Sequence, residues 1–216
     1  GTTTGDWTPI TSGGTFTLEE NTTIYARLYD GKNETSPASL TITKIDTAVP
    51  SVTLGTLTKT TKSITIPITA TDSQSKIKSV SCVYGTSTSY GSTGTVTGNE
   101  TDGYSCTISD LTTGGTYYYK VTATDNTNRT NTATGNSETG TFGQVNISAS
   151  DQDSWTTEKT ITVTGVTTGA TLQYQLGTTT GDWTPITSGG TFTLEENTTI
   201  YARLYDGKNE TSPASL

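Results

Sequence analysis

Polar and apolar residues alternate along most of this chain. Ile64, Ile66, Ile68 and Ala70 share one face of the run 63–72, and Thr65, Pro67 and Thr69 share the other. A period of two is the mark of a half-buried β-strand. Pro67 has no N–H to give, so this strand is expected to carry a bulge or a poorly covered edge. Runs at 51–57, 78–84, 92–97, 103–109, 116–125 and 131–142 bring this stretch to seven strands. Downstream, a short strand at 145–148 is followed by Ile161 with Val163, Leu172 with Tyr174 and Leu176, Phe192 with Leu194, and Ile200 with Ala202 and Leu204. Gly, Asn, Asp and Ser punctuate these runs as turn formers. No stretch of ten residues carries the 3.6-residue apolar period, so essentially no helix is expected. Short strands with frequent turns predict an all-β chain of tandem Greek-key β-sandwiches.

The sequence also repeats itself. Residues 1–40 and 177–216 are the same forty letters, offset by 176 positions. That spacing suits two small domains better than one solenoid repeat. The repeated segment reads as the C-terminal half of a module. The chain therefore divides into a half-module at 1–46, a complete module at 47–143, and a module at 144–216 that lacks its last strand. Identity between the copies points to a recent or homogenised array, of which this chain is a window. The missing last strand is expected from another copy, either the next repeat of an array or a neighbouring chain by strand exchange.

Composition changes this picture little. Only 29% of the 216 residues are apolar, but the polar majority is rich in Thr, which favours a pleated, half-buried strand over disorder. A formal charge of −8 argues against phosphate backbones and anionic lipid as partners, so neither nucleic-acid binding nor membrane association is expected. No run of about 18 apolar residues spans a membrane.

In the complete module, Leu111, Tyr117, Val121 and Ala123 follow a Leu, six-on Tyr, four-on Val pattern, and 83–88 reads Val-Tyr-Gly-Thr-Ser-Thr. This resembles the fibronectin type III family, in which the Tyr forms the tyrosine corner. The proline that the family places after the Leu is missing; Thr113 stands there, followed by Gly114 and Gly115. The flanking module carries Trp183-Thr184-Pro185, the segments 192–197 and 201–209, and the exit 44–50. It is similar to the Ig-like domains of bacterial surface proteins. The two resemblances imply an extracellular protein, at a bacterial cell surface or secreted.

Candidate chemistry is sparse. Strand parity points Cys82 and Cys106 inward from opposite sheets, which suits a disulfide across the core; two free buried thiols are the alternative. The chain has no His, so the usual Ser or Cys triads cannot be built, and no catalytic activity is expected. No cofactor is required. Ca²⁺ is conceivable at 125–128 (Asp-Asn-Thr-Asn) or at Asp151 and Asp153, although Asp and Asn are also the ordinary turn residues. Trp155 and Trp183, with Trp7 and Tyr90, could stack on sugar rings, although a Trp more often lies buried under a sheet edge. Lys44, Lys120 and Lys159 are weak candidates for a covalent cross-link, since exposed lysines on edge strands usually discourage aggregation. Sequons at Asn21, Asn33, Asn99, Asn128 and Asn146, recurring at Asn197 and Asn209, would be glycan sites in a eukaryotic secreted protein, although a Thr- and Asn-rich composition also produces them. The expected role is a spacer or stalk whose short linkers make a semi-rigid rod. The competing roles are an adhesin module that binds carbohydrate or host protein, and an accessory domain of a secreted polysaccharide hydrolase or phage fibre.

Overall fold

Strands account for all the regular structure among the described residues, 5–216, of the computed structural model. The first four letters of the repeated forty lie outside them. The half-module contributes one antiparallel pair, β1 (Thr22–Ala26) and β2 (Ala38–Ile42).

The complete module follows. It holds β3 (Ser51–Leu54), β4 (Thr58–Lys59), β5 (Ile64–Thr71), β6 (Ile77–Gly85) and β7 (Ser92–Thr93). It continues with β8 (Thr95–Asn99), β9 (Gly103–Ile108), β10 (Thr116–Asp125) and β11 (Thr130–Glu138). One sheet runs β3-β5-β9-β8, with β4 also on β5, and the other runs β11-β10-β6-β7. Ile64, Ile66, Ile68 and Ala70 bury their faces against Tyr117, Tyr119, Val121 and Ala123 of the opposite sheet. The alternation along β5 and β10 is thus what closes the sandwich.

The last module is smaller. Its strands are β12 (Asn146–Ala149), β13 (Lys159–Thr164), β14 (Thr171–Leu176), β15 (Thr184–Pro185), β16 (Gly190–Leu194), β17 (Ile200–Tyr205) and β18 (Ala214–Ser215). The sheets are β12-β13-β16 and β15-β14-β17-β18. Six residues, Ile161, Val163, Leu172, Ile200, Ala202 and Leu204, form its buried centre. Tyr174 stacks on Phe192 from across the sandwich at 4.3 Å between ring centroids.

Pro67 behaves differently from the edge expected of it. It sits mid-strand in β5, an interior strand of its sheet, opposite Ser105 of β9. Its carbonyl accepts the Gly55 N–H at 2.8 Å, so its donor-less nitrogen faces the same side, where 55–57 carry the partner from β3 to β4. The irregularity is therefore a break in the neighbouring strand. Gly55 suits the close approach, because a Cβ there would lie 3.0 Å from the proline ring.

The two copies of the forty residues can be compared directly. Tyr25 pairs with Ser39 and Ala26 with Ala38, as Tyr201 pairs with Ser215 and Ala202 with Ala214, so the hairpin register is the same. The bridge Tyr29–Glu34 recurs as Tyr205–Glu210. The strand β16 has no counterpart at 14–18, because its partner β13 has none in the half-module. Leu204 is 1% exposed, whereas its twin Leu28 is 77% exposed. Local sequence fixes the hairpin; the segment 145–176 supplies the rest of the core.

Candidate functional site at the module junctions

The polar side chains that this chain buries gather where modules meet. At the end of β17 comes Asp206. Its Oδ1 accepts the N–H groups of Lys208 and Asn209 at 2.9 and 2.7 Å, which closes a tight turn. Its Oδ2 accepts the Asn209 side-chain amide at 3.2 Å and the hydroxyl of Thr61, a residue of the preceding module. Lys62 Nζ donates to the Asp206 carbonyl, Lys208 Nζ donates to the Asp110 carbonyl, and Asn209 Nδ2 donates to the Leu111 carbonyl at 3.2 Å. Burial alone would raise the Asp206 carboxyl, but the bonds from Asn209, Thr61 and Lys208 bring it below the ordinary 3.8. Asp206 and Thr61 are 5% and 1% exposed, so the joint is dry at its centre. The identical turn in the half-module, Asp30 with Lys32 and Asn33, has the same internal bonds and lies open to solvent.

The junction between the half-module and the complete module is built on acids. Asp46 Oδ1 accepts the Ala48 N–H at 2.9 Å. Thr47 N–H donates to Gln74 Oε1 at 2.8 Å and the Asn131 amide donates to the Pro50 carbonyl at 2.9 Å, so the linker is pinned to the module it enters. Asp72 Oδ1 gathers the N–H groups of Gln74, Ser75 and Lys76 at the end of β5. Asp125, the last residue of β10, is fully buried, and its Oδ1 accepts the N–H groups of Thr127 and Arg129 and the Thr127 hydroxyl. Burial pushes the Asp125 carboxyl up, but those bonds and the Arg129 charge outweigh it and hold it below the ordinary value. Carboxylate oxygens of Asp46, Asp72 and Asp125 lie within 4.8 Å of one another.

This arrangement differs from the one read from the sequence. Of the segment 125–128, only Asp125 enters the cluster. The Asn126 amide donates to the Ser75 carbonyl at 2.8 Å, and Asn128 Oδ1 accepts Lys78 Nζ at 2.5 Å, so both face other partners. Asp151 and Asp153 are exposed, and Asp151 takes a left-handed turn conformation at φ 45°. Asp46 and Asp72 were missed. Each stands where a strand ends beside a linker or turn, and only the fold brings them to Asp125.

The remaining candidates are scattered. Cys82 and Cys106 form a disulfide between β6 and β9, across the two sheets. Leu111 and Val121 are buried, and Tyr117 Oη accepts the Thr112 N–H at 2.9 Å. Trp155 stands fully exposed between β12 and β13. The Arg203 guanidinium covers one face of Trp183 at 4.2 Å, as Arg27 covers Trp7 at 4.1 Å, and each arginine also pairs with a glutamate (Glu210, Glu34). No ring contact joins Trp155 to Trp183 among the described residues. A cleft of about 330 Å³ opens at the second junction between Thr60, Gly140, Phe142 and Val166, with Lys59 its one titratable wall residue among those described. No paired acid and base line it. Among the described residues no helix is long and apolar enough to cross a membrane.

No family model matches the chain, and no curated protein matches it either. Among solved structures it is similar to chitinase ChiA74 from Bacillus thuringiensis, at 14% identity and a TM-score of 0.32, over 76% of this chain. The chain spans only 28% of that protein's length.

Proposed function

We propose that this chain is a spacer segment of an extracellular bacterial protein, built from fibronectin type III-like and Ig-like sandwiches that hold a distal domain away from the surface. The observation that carries the reading is the recurring hairpin of the repeat. In its second copy its turn, Asp206 to Asn209, clamps onto Thr61, Lys62, Asp110 and Leu111 of the module before it. A repeated unit that brings its own docking turn suits an array with ordered joints. The sheets β3-β5-β9-β8 and β11-β10-β6-β7 of the complete module support a sandwich of the architecture that Ig and fibronectin type III domains share. The reading assigns the chain no catalytic activity.

Small-angle scattering from chains of one, two and three 176-residue units tests it. The largest dimension should grow by a constant increment of about 70 Å per unit, from two sandwiches each spanned by strands of about ten residues at 3.3 Å per residue. Growth that flattens with copy number means folded-back modules and ends the spacer reading.

A neighbouring copy is the partner we infer for the half-module. Ile10, Phe16, Leu28 and Leu40 stand exposed there, and in the second copy the corresponding face is covered by the segment 145–176. The same segment of another chain is the complementary surface. Sedimentation velocity across a concentration series should reveal head-to-tail association; a monomer at every concentration removes it.

A second reading rests on Trp155 alone. A fully exposed indole offers a flat apolar face, and a sugar ring is an occupant that such a face suits. Binding on a glycan array that is lost in Trp155→Ala favours this reading, and an array without signal removes it.

A further inference from the structure

The acidic cluster at the first junction contains buried oxygens that the protein leaves without partners. Asp125 is fully buried and Asp46 is 9% exposed, yet neither Asp125 Oδ2 nor Asp46 Oδ2 makes a hydrogen bond. In each residue the other oxygen is committed to backbone amides, so the free atom has no donor to turn to. Native proteins seldom leave a buried carboxylate oxygen unsatisfied, because the lost solvation is large. The Ser75 hydroxyl is likewise buried without a partner, in the loop whose amides hold Asp72. Among the described residues the salt bridges are Arg27 with Glu34 and Arg203 with Glu210, and neither reaches this cluster. The charge of Arg129 acts on Asp125, but no ion pair forms.

The second junction shows how the fold satisfies such an oxygen with protein alone. There Asp206 Oδ2 receives the Thr61 hydroxyl and the Asn209 amide. At the first junction two further carboxylates stand where donors would be expected.

We propose that Asp46, Asp72 and Asp125 bind one Ca²⁺ ion, which ties the linker leaving the half-module to the complete module. The donors are all oxygen, as a hard cation prefers, and both cysteines are committed to the disulfide. Two oxygens bound to the same Ca²⁺ at about 2.4 Å stand at most about 4.8 Å apart, and the three carboxylates meet that limit. Asp72 and Asp125 come from the turns after β5 and β10 within one sandwich, and Asp46 comes from the linker. The ion therefore bridges two bodies. Its binding is a statement about the joint and is independent of whether the chain is a spacer.

Calorimetry on the 216-residue chain after chelator treatment tests this directly. One Ca²⁺ per chain should bind, with a Kd on the order of 10⁻⁴ M, as is usual for extracellular modules. Asp46→Asn keeps the acceptor for the Ala48 N–H, so it should weaken binding at least about tenfold while leaving the circular dichroism unchanged and the metal-free melting temperature no lower, since it removes one of three neighbouring carboxylates. Protease cleavage within 46–50 should slow when Ca²⁺ is added to the natural chain and should not respond in the variant. The wild-type titration decides the matter without any variant: no heat up to about 10 mM Ca²⁺ overturns the proposal. Undiminished binding by both Asp46→Asn and Asp72→Asn overturns it as well.

Discussion

Leu28 and Leu204 occupy the same position in two identical forty-residue sequences, so one substitution made at each isolates the effect of tertiary burial. Leu204 is 1% exposed in a core that holds five other buried residues, while Leu28 is 77% exposed. The local frame is shared: each backbone N–H donates to the threonine hydroxyl seven residues on, at 3.0 Å for Leu28 and 3.1 Å for Leu204. Replacing a buried Leu by Ala removes its transfer free energy and leaves a cavity, at a cost of about 2–5 kcal/mol. The core of the last module is small and can partly collapse, so Leu204→Ala should cost about 3 kcal/mol and lower that module's melting temperature by about 12–24 °C. Leu28→Ala should stay within about 0.5 kcal/mol. The assay is urea unfolding followed by tryptophan fluorescence. Trp7, Trp155 and Trp183 all lie outside the complete module; a Trp7→Phe background leaves the signal to the last module for Leu204→Ala, and a Trp155→Phe, Trp183→Phe background leaves it to the half-module for Leu28→Ala. A Leu204→Ala cost below about 1 kcal/mol refutes the burial argument. Equal costs at the two positions in dilute solution refute it too, because Leu28 would then have a cover that this fold does not give it. A Leu28→Ala cost that rises with protein concentration is the mark of strand exchange.

Other outcomes follow from the same structure. Cys82→Ala with Cys106→Ala opens a cross-link between residues 24 apart, and loop entropy puts the loss near 3.4 kcal/mol, to be read from far-UV circular dichroism melts. Gly94→Ala should destabilise by about 1–3 kcal/mol in the same melts, because a Cβ there would lie 2.5 Å from Cys106 Sγ and 2.9 Å from Ile108 Cγ2. Acid should loosen the second junction. The Asp206 carboxyl is held below its ordinary 3.8, so the stability it contributes is present above that value and is lost as pH falls through the depressed one. The protection factors of the Lys208 and Asn209 amides, with the intrinsic pH dependence of exchange divided out, should therefore fall only below about pH 4 and change little between about pH 5 and 8.

The pattern of the chain revealed its interior better than its joints. The alternation along β5 and β10 carries enough information to orient a strand, and parity along β6 and β9 placed both sulfurs inward. Pro67 signalled an irregularity, but a strand's own sequence cannot say whether a missing donor meets solvent or a broken neighbour; β3 and β4 decide that. The segment 14–18 marks the limit most clearly. It has the same letters as β16 and a different state, because a strand exists only with a partner. The acidic cluster was hidden for a related reason. Asp125 reads, with 126–128, as either a Ca²⁺ ligand or a turn former, while nothing in the sequence singles out Asp46 or Asp72; all three accept backbone amides as turn formers do. What makes them a site is that their carboxylates meet, with Asp46 Oδ2 and Asp125 Oδ2 left without partners, and that depends on the packing of three distant segments.

The two sandwiches differ in sequence, yet they share one strand plan. The sheets β12-β13-β16 and β15-β14-β17-β18 repeat the connections of β3-β5-β9 and β7-β6-β10-β11. In this plan β10 and β17 are equivalent strands, and each runs into an aspartate whose Oδ1 closes the following turn. Asp125 and Asp206 are therefore the same structural position, at the pole of the module that faces its predecessor. The first oxygen is needed by the fold, since it satisfies amides that the turn would otherwise bury. The second is turned to the joint; at Asp206 it accepts the turn's own Asn209 amide together with what the preceding segment presents. At Asp206 the neighbour presents the hydroxyl of Thr61; at Asp125 it presents the carboxylate of Asp46. Chain identity at 30–33 and 206–209 extends the argument: Asp30 Oδ2 accepts the Asn33 amide as Asp206 Oδ2 accepts that of Asn209, and it lies open to solvent where Asp206 meets Thr61. The chemistry of each joint is thus set by the module before it, while the geometry comes from the module after it.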